Sequence, residues 1–197
     1  DGAKDGDEVR IWRVSGGKFG ATNSKKALDV ARRRAFQYLE SMRKRGVKLT
    51  NDQTGWQIGF STKGNRELKT WSADPAQVEA IATLPSLMRR AVLGASEPNT
   101  KALPGDSTRA FHVFYAPIVI GREPRIARLV VREEQNGHYA YDLNASDVLA
   151  NKNPAGESSR AFAAEANAWT TTTGRGPTIA QLRDYVNAMD RPHWKFG

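Results

Sequence analysis

The strongest constraint in this chain is a run of three strand-patterned segments with almost nothing between them. Ala110–Ile120 is rich in aromatic and β-branched residues, and Gly121-Arg122-Glu123-Pro124 makes a tight turn. Arg125–Glu134 is a second such segment, Gln135-Asn136-Gly137 is a hairpin turn, and His138–Leu143 is a third. A parallel pair needs a crossover of a dozen or more residues, and these turns are far shorter. The three segments are therefore expected to pair as an antiparallel meander.

Upstream, Gly55–Thr62 alternates Trp56, Ile58 and Phe60 with small or polar residues, the pattern of a half-buried strand. Two helical segments flank it. Ser24 is a cap for a helix running to about Arg45, with Leu28, Ala31, Ala35, Tyr38, Leu39 and Met42 on one face and Gly46 as the stop. Ser72-Ala73-Asp74-Pro75 opens a second helix, carrying Val78, Ile81, Ala82, Leu84, Leu87 and Met88, which Pro85 breaks or kinks. Residues 95–109, with Pro98, Pro104 and Gly105, read as a polar loop. The order predicts an α+β fold: N-terminal helices packed on one face of a four-stranded antiparallel β-meander, with a C-terminal helical extension.

Three regions follow. Residues 1–23 form a Gly-rich, charged linker interrupted by a strand-like Val9–Val14, residues 24–150 form the core, and residues 151–197 form the helical extension. In that extension Ser159–Trp169 reads as partly helical and Thr170–Gly176 as a linker. Thr178 and Gln181 form a capping box for a last helix ending near Met189. The polar start without an initiator Met reads as part of a larger chain, at its C-terminal end.

The chain holds 30 Lys+Arg against 21 Asp+Glu, a formal net charge of +9 in 197 residues. Such a balance attracts phosphate-rich or acidic partners. With no cysteine, the chain has no disulfide, zinc–thiolate site or thiol nucleophile. No apolar run reaches the length of a membrane span, so no membrane anchor is expected. Gly59–Gly64 lacks the Lys-Ser/Thr that completes a phosphate loop, since Asn65-Arg66 follow. Nor do metal-ligand spacings or a Gly-x-Ser-x-Gly elbow occur, so no cofactor or metal is expected.

Basic and hydroxyl groups on or beside the strands remain. If the helices cover the face that carries Val113, alternation turns His112 outward, and Arg128 and Arg132 lie away from Leu129 and Val131. The open face would then suit metal-free RNA cleavage, in which the ribose 2′-OH attacks its own phosphate and leaves a 2′,3′-cyclic phosphate. His112 and His138 are the acid–base candidates, imidazole having a free pKa of about 6.5. Lys63 and Arg132 are the phosphate clamps, and Tyr141 is a supporting group. Tyr115, Thr62, Ser61, Arg128 and Arg34 complete a substrate-binding set. Two alternatives stay open. A mono-ADP-ribosyltransferase would use Arg13, Ser61-Thr62 and Glu133 or Glu134. A non-catalytic nucleic-acid-binding module would work through the basic helix at 24–48.

Several phrases carry a family resemblance: Gly59–Gly64, Thr70–Pro75, Leu84-Pro85, Arg109–Ala116, Leu129–Glu133 and His138–Leu143. This stretch resembles the small domains of phage and mobile-element polyvalent proteins. Those domains, like many C-terminal modules of bacterial polymorphic toxins, are similar to the barnase–EndoU–colicin–RelE-like ribonuclease fold. The resemblance implies metal-independent cleavage of RNA, often tRNA. It also implies delivery into a competing bacterium, action in that cell's cytoplasm, and an acidic immunity partner. Trp71 stands where the family pattern often has a His, which removes one candidate catalytic group.

Overall fold

A computed structural model describes residues 4–14, 16–60, 75–100, 104–121, 123–149, 164 and 176–188. Its elements, in chain order, are β1 (Trp12–Val14), α1 (Lys25–Lys44), β2 (Leu49–Thr50), β3 (Gln57–Phe60), α2 (Pro75–Ala82) and α3 (Leu84–Arg90). These are followed by β4 (Val92–Pro98), β5 (Thr108–Ile120), β6 (Glu123–Glu134), β7 (Tyr139–Leu149) and α4 (Ile179–Ala188). The fold is α+β.

The helices form for the reasons the sequence suggests. The Ser24 hydroxyl accepts from the Ala27 amide at 3.2 Å, and Arg43 and Lys44 sit in the last turn, where the helix dipole favours cations. Leu28, Ala31, Ala35, Leu39 and Met42 are the buried stripe. Pro85 lies in the first turn of α3, which separates α2 from α3 at Thr83. The predicted cap residues Ser72 and Asp74 lie outside the described residues.

The sheet is larger than a four-stranded meander. β5, β6 and β7 do pair antiparallel in succession. However, β3 joins the far side of β7 in parallel, with Ile58 opposite Tyr139 and Phe60 opposite Tyr141. β2 then extends that edge. The other edge of β5 is shared. β4 runs antiparallel along its first half, and β1 runs parallel to Ile118–Ile120. The result is a mixed seven-stranded sheet in the order β1-β5-β6-β7-β3-β2, with β4 also on β5. β4 occupies part of the stretch read as a polar loop. Its burial fades from Val92 to exposed Ser96, Glu97 and Pro98, so an edge strand ends in residues that resemble a turn.

The second correction concerns the open face. Phe114, Ala116, Ile118, Leu129, Val131 and Tyr141 pack beneath α1, α2 and α3. The opposite face carries Val113, Tyr115, Ile126 and Val130, and it is covered too, by Leu182, Tyr185 and Val186 of α4 and by Val9. The N-terminal region, at the start of its strand-like Val9–Val14, contributes this last contact. The Val9 amide donates to the Pro177 carbonyl at 2.8 Å, and the Ile179 amide donates to Asp7 at 3.0 Å. The expected capping box is present. The Gln181 amide donates to Thr178 Oγ1 at 3.2 Å, and the Thr178 amide donates to Gln181 Oε1 at 2.9 Å.

Asn51, fully buried after β2, ties the two halves of the helix side together. Its Nδ2 donates to the carbonyls of Met88 (2.8 Å) and Ala91 (2.9 Å), and its Oδ1 accepts from the Thr54 amide at 3.0 Å. Asn51→Ala strands these groups out of water, and we expect a loss of about 3 kcal/mol in the urea unfolding free energy.

Tyr115 gives a pH prediction. Its phenol is wholly buried, and burial pushes its pKa from 10.0 up to about 12, although the neighbouring Arg128 pulls the other way. The unfolded chain therefore releases this proton first, and the stabilisation, complete below about pH 10, is lost as pH rises through about 12. The two-unit difference corresponds to on the order of 2–3 kcal/mol. Urea titrations between pH 9 and 12 should show the fall, and Tyr115→Phe should reduce it without abolishing it, because burial raises the Tyr141 phenol further still.

Candidate active site

One group of polar side chains meets at the exposed end of the β4–β5–β6 ladder. In the register, His112 on β5 lies opposite Ser96 on β4 and Val131 on β6. Two residues beyond Val131 on the same strand face stands Glu133. The imidazole is held at both nitrogens. Ser96 Oγ lies 2.8 Å from Nδ1, and Glu133 Oε2 lies 3.1 Å from Nε2. An ionised carboxylate only accepts, so Glu133 places a proton on Nε2, and Nδ1 can accept from the Ser96 hydroxyl.

The other Glu133 oxygen is bound by Arg109, whose Nη1 donates to Oε1 at 3.3 Å. The β5–β6 register shifts between Thr108 and Ala110, which leaves Arg109 as the extra residue of a bulge and aims its side chain at Glu133. His112 is 6% exposed, whereas the Arg109 side chain is 69% exposed and Ser96 is open to solvent. The site is thus a buried imidazole reached through exposed neighbours.

Aromatic rings close its inner side. Trp56 meets the imidazole edge-on at 4.6 Å between centroids, and Tyr139 stacks on Trp56 at 4.3 Å with planes 8° apart. Partial burial, then the Glu133 charge, pushes the Tyr139 phenol up, against the opposing effect of Arg109. A carboxylate, an imidazole and a guanidinium in contact can together accept a proton, donate a proton and bind an anion.

The other described candidates do not join this group. Arg132 and Arg128 lie on the α4 side of the sheet. Arg132 is buried with its Nε 3.3 Å from Asp142 Oδ2, beside an open cavity of about 400 Å³ lined by Phe111, Asp106 and Thr108. Arg128 donates to the Ala145 carbonyl and interacts with Tyr115, and burial lowers its pKa. Tyr141 lies in the core beneath the helices, where burial pushes its phenol up. His138 is an exposed hairpin residue whose amide donates to Asn136 Oδ1 at 3.0 Å. Arg34, on α1, donates to the Phe19 carbonyl at 3.2 Å. Lys63, Thr62 and Ser61 lie outside the described residues. The expected open face with both arginines and both imidazoles is therefore not formed: His112 lies opposite Val131 on the face beneath α1, α2 and α3, whereas Arg128 and Arg132 lie on the other face, and His138 is in the hairpin turn.

The transferase set is separated as well. Arg13 lies opposite Val119, whereas Glu133 lies opposite Ala110, nine positions away along β5 or about 30 Å. Ser96, Arg109 and the Trp56–Tyr139 pair escaped the sequence reading. The available signals were the strand period linking Val131 to Glu133 and the apolar start of β4 at Val92-Leu93.

No curated protein and no solved structure matches this chain. The sequence profile of large polyvalent protein-associated domain 3 matches residues 26–141, a stretch that contains Trp56, Ser96, Arg109, His112, Glu133 and Tyr139 and excludes β1 and α4. With more than half of its length matched, this chain belongs to the large polyvalent protein-associated domain 3 family.

Proposed function

We propose that this domain is a metal-independent ribonuclease whose reacting groups are Glu133, His112 and Arg109. The observation that supports this reading is the contact triad itself: a carboxylate against Nε2 of a buried imidazole, with an exposed guanidinium on the second carboxylate oxygen. The net charge of +9 favours a polyanionic substrate.

In this mechanism Arg109 exchanges Glu133 for a phosphate oxygen of the RNA and binds the charge that grows there. Glu133 takes the proton from the ribose 2′-OH as the 2′ oxygen bonds to phosphorus. The bond from phosphorus to the 5′ oxygen breaks, and His112, entering the step as imidazolium with its Nδ1–H turned to Ser96 Oγ, gives that oxygen its Nε2 proton and is left neutral. The products are a 2′,3′-cyclic phosphate and a 5′-OH. Attacking and leaving oxygens stand on opposite sides of phosphorus, so the 3.1 Å His112–Glu133 contact opens to admit the phosphate. Ser96 positions the imidazole through Nδ1. The stacked Trp56–Tyr139 pair supplies a flat apolar surface beside the phosphate site for an unpaired base.

As a toxin, such an enzyme requires protection in the cell that makes it. An acidic immunity protein laid over Arg109 and the β4 edge would supply it until the domain is delivered into a competitor. The non-catalytic alternative predicts RNA binding without cleavage.

Incubation with total tRNA in excess chelator should give fragments ending in cyclic phosphate. His112→Ala and Glu133→Gln should each lower the rate by about 10²–10⁴. Ser96→Ala should leave the fold intact and shift the alkaline limb of the pH–rate profile, which reports the general acid His112. Intact RNA at every enzyme concentration, with a correctly folded domain, would sink the proposal.

A further inference from the structure

α1 carries a second feature that the reacting groups do not use. At 100° per residue, Leu28, Ala31, Ala35, Leu39 and Met42 centre on one side of the helix, and they are buried. Lys26, Arg33 and Lys44 fall together about 180° away, with Gln37 between them on the same line, and all four are exposed. From Lys26 to Lys44 the row covers eighteen residue steps, about 27 Å at 1.5 Å per step.

The charges along this helix are sorted. The acidic residues of α1 are Asp29 and Glu40, and each is bound by an arginine three positions on, Arg32 at 3.4 Å and Arg43 at 3.0 Å. That leaves the outer row uncompensated. Among the described residues, Lys26, Arg33 and Lys44 form no ion pair, and Arg45 and Lys48 extend the exposed positive charge past the helix end. Cations carry no packing role on this side, because the buried stripe already anchors α1 to the sheet. A neutral polar row would serve stability as well, with less self-repulsion.

We infer that the outer face of α1 binds the phosphate backbone of a single RNA strand. The inference rests on the ribonuclease reading only for its choice of polyanion. α1 packs against β3, directly after Trp56, so the row lies on the same side of the sheet as the stacked Trp56–Tyr139 pair. Aromatic faces favour unpaired bases, which is why the partner is a single strand and not a duplex. A line of flexible cations on phosphate reads no sequence, so its contribution is affinity and orientation.

The test uses a 2′-O-methyl RNA oligonucleotide, which lacks the attacking hydroxyl and so reports binding without cleavage. Anisotropy titrations over a range of salt concentrations would compare the wild type with Lys26→Gln/Arg33→Gln/Lys44→Gln. A control, Lys4→Gln/Arg10→Gln/Arg183→Gln, removes the same charge beside α4. For single strands the slope of log K against log salt is about −0.7 per phosphate neutralised, so the α1 variant should lose about 2 from the slope. It should also bind more than tenfold more weakly at low salt, melt at the wild-type temperature and cleave a dinucleotide at the wild-type rate. Equal slopes for the α1 variant and the wild type, or equal losses in both triple variants, would overturn the inference and leave the ribonuclease reading standing. Binding of poly-glutamate but not RNA through the same three residues would overturn it in favour of an acidic protein. A protein that binds through α1 but cleaves nothing would retain the inference and remove the nuclease.

Discussion

The pairing of β5 with β6 runs from Thr108 opposite Glu134 to Ile120 opposite Glu123, and along most of it both faces are apolar. Val113, Tyr115 and Val130 point one way, and Phe114, Ala116, Leu129 and Val131 point the other. A two-faced apolar hairpin cannot leave either side in water. Burial stabilises at about 25 cal/mol per Å² of apolar surface, so each face gathers its own cover. α1, α2 and α3 form one cover, and α4 with Val9 forms the other. The additional strands follow from the same hairpin. β5 has an unpaired edge long enough to seat β4 on one half and β1 on the other.

This explains which parts of the fold were legible. The cap at Ser24, the break at Pro85 and the two hairpin turns are local chemistry, and local chemistry is written in neighbouring residues. The parallel pairing of β3 with β7 is not local, since nothing in Gly55–Thr62 says which strand it joins or in which direction. The second cover was legible in principle. Phe111–Ile120 is an almost continuous apolar run, interrupted chiefly by His112, and such a run marks a strand buried on both faces. Strict alternation, the pattern of a one-sided sheet, holds for Trp56-Gln57-Ile58-Gly59-Phe60 but not for β5.

The candidate site shows the same division. His112 stands out as the polar residue within that apolar run. Its partners depend on register. Ser96 reaches it because β4 pairs with β5 after a register shift between Leu93 and Ala95, and Arg109 reaches Glu133 through a bulge. Neither irregularity can be read from periodicity, because each adds one residue to a strand without altering its composition. Arg128 and Arg132 were misassigned for a complementary reason. They alternate correctly with Leu129 and Val131, but they lie on the face opposite His112, where each guanidinium is held by protein partners.

Buried guanidinium groups must be compensated, and this separates the two faces chemically. Arg128 is matched by Tyr115 and the Ala145 carbonyl, and Arg132 by Asp142. Removing one partner of such a pair leaves a desolvated charge, so these arginines hold the second face together and are poorly placed to exchange partners with a substrate. Arg109 is in the opposite situation. It is paired with Glu133 yet largely in water, so the contact is weak and can be traded for a phosphate at little cost. The matched family segment contains both Arg109 and the apolar second face but neither β1 nor α4. Any chain that keeps this two-faced hairpin must find cover for that side from its own flanking sequence or from a partner. In this protein the flanks themselves, Val9 and α4, provide it.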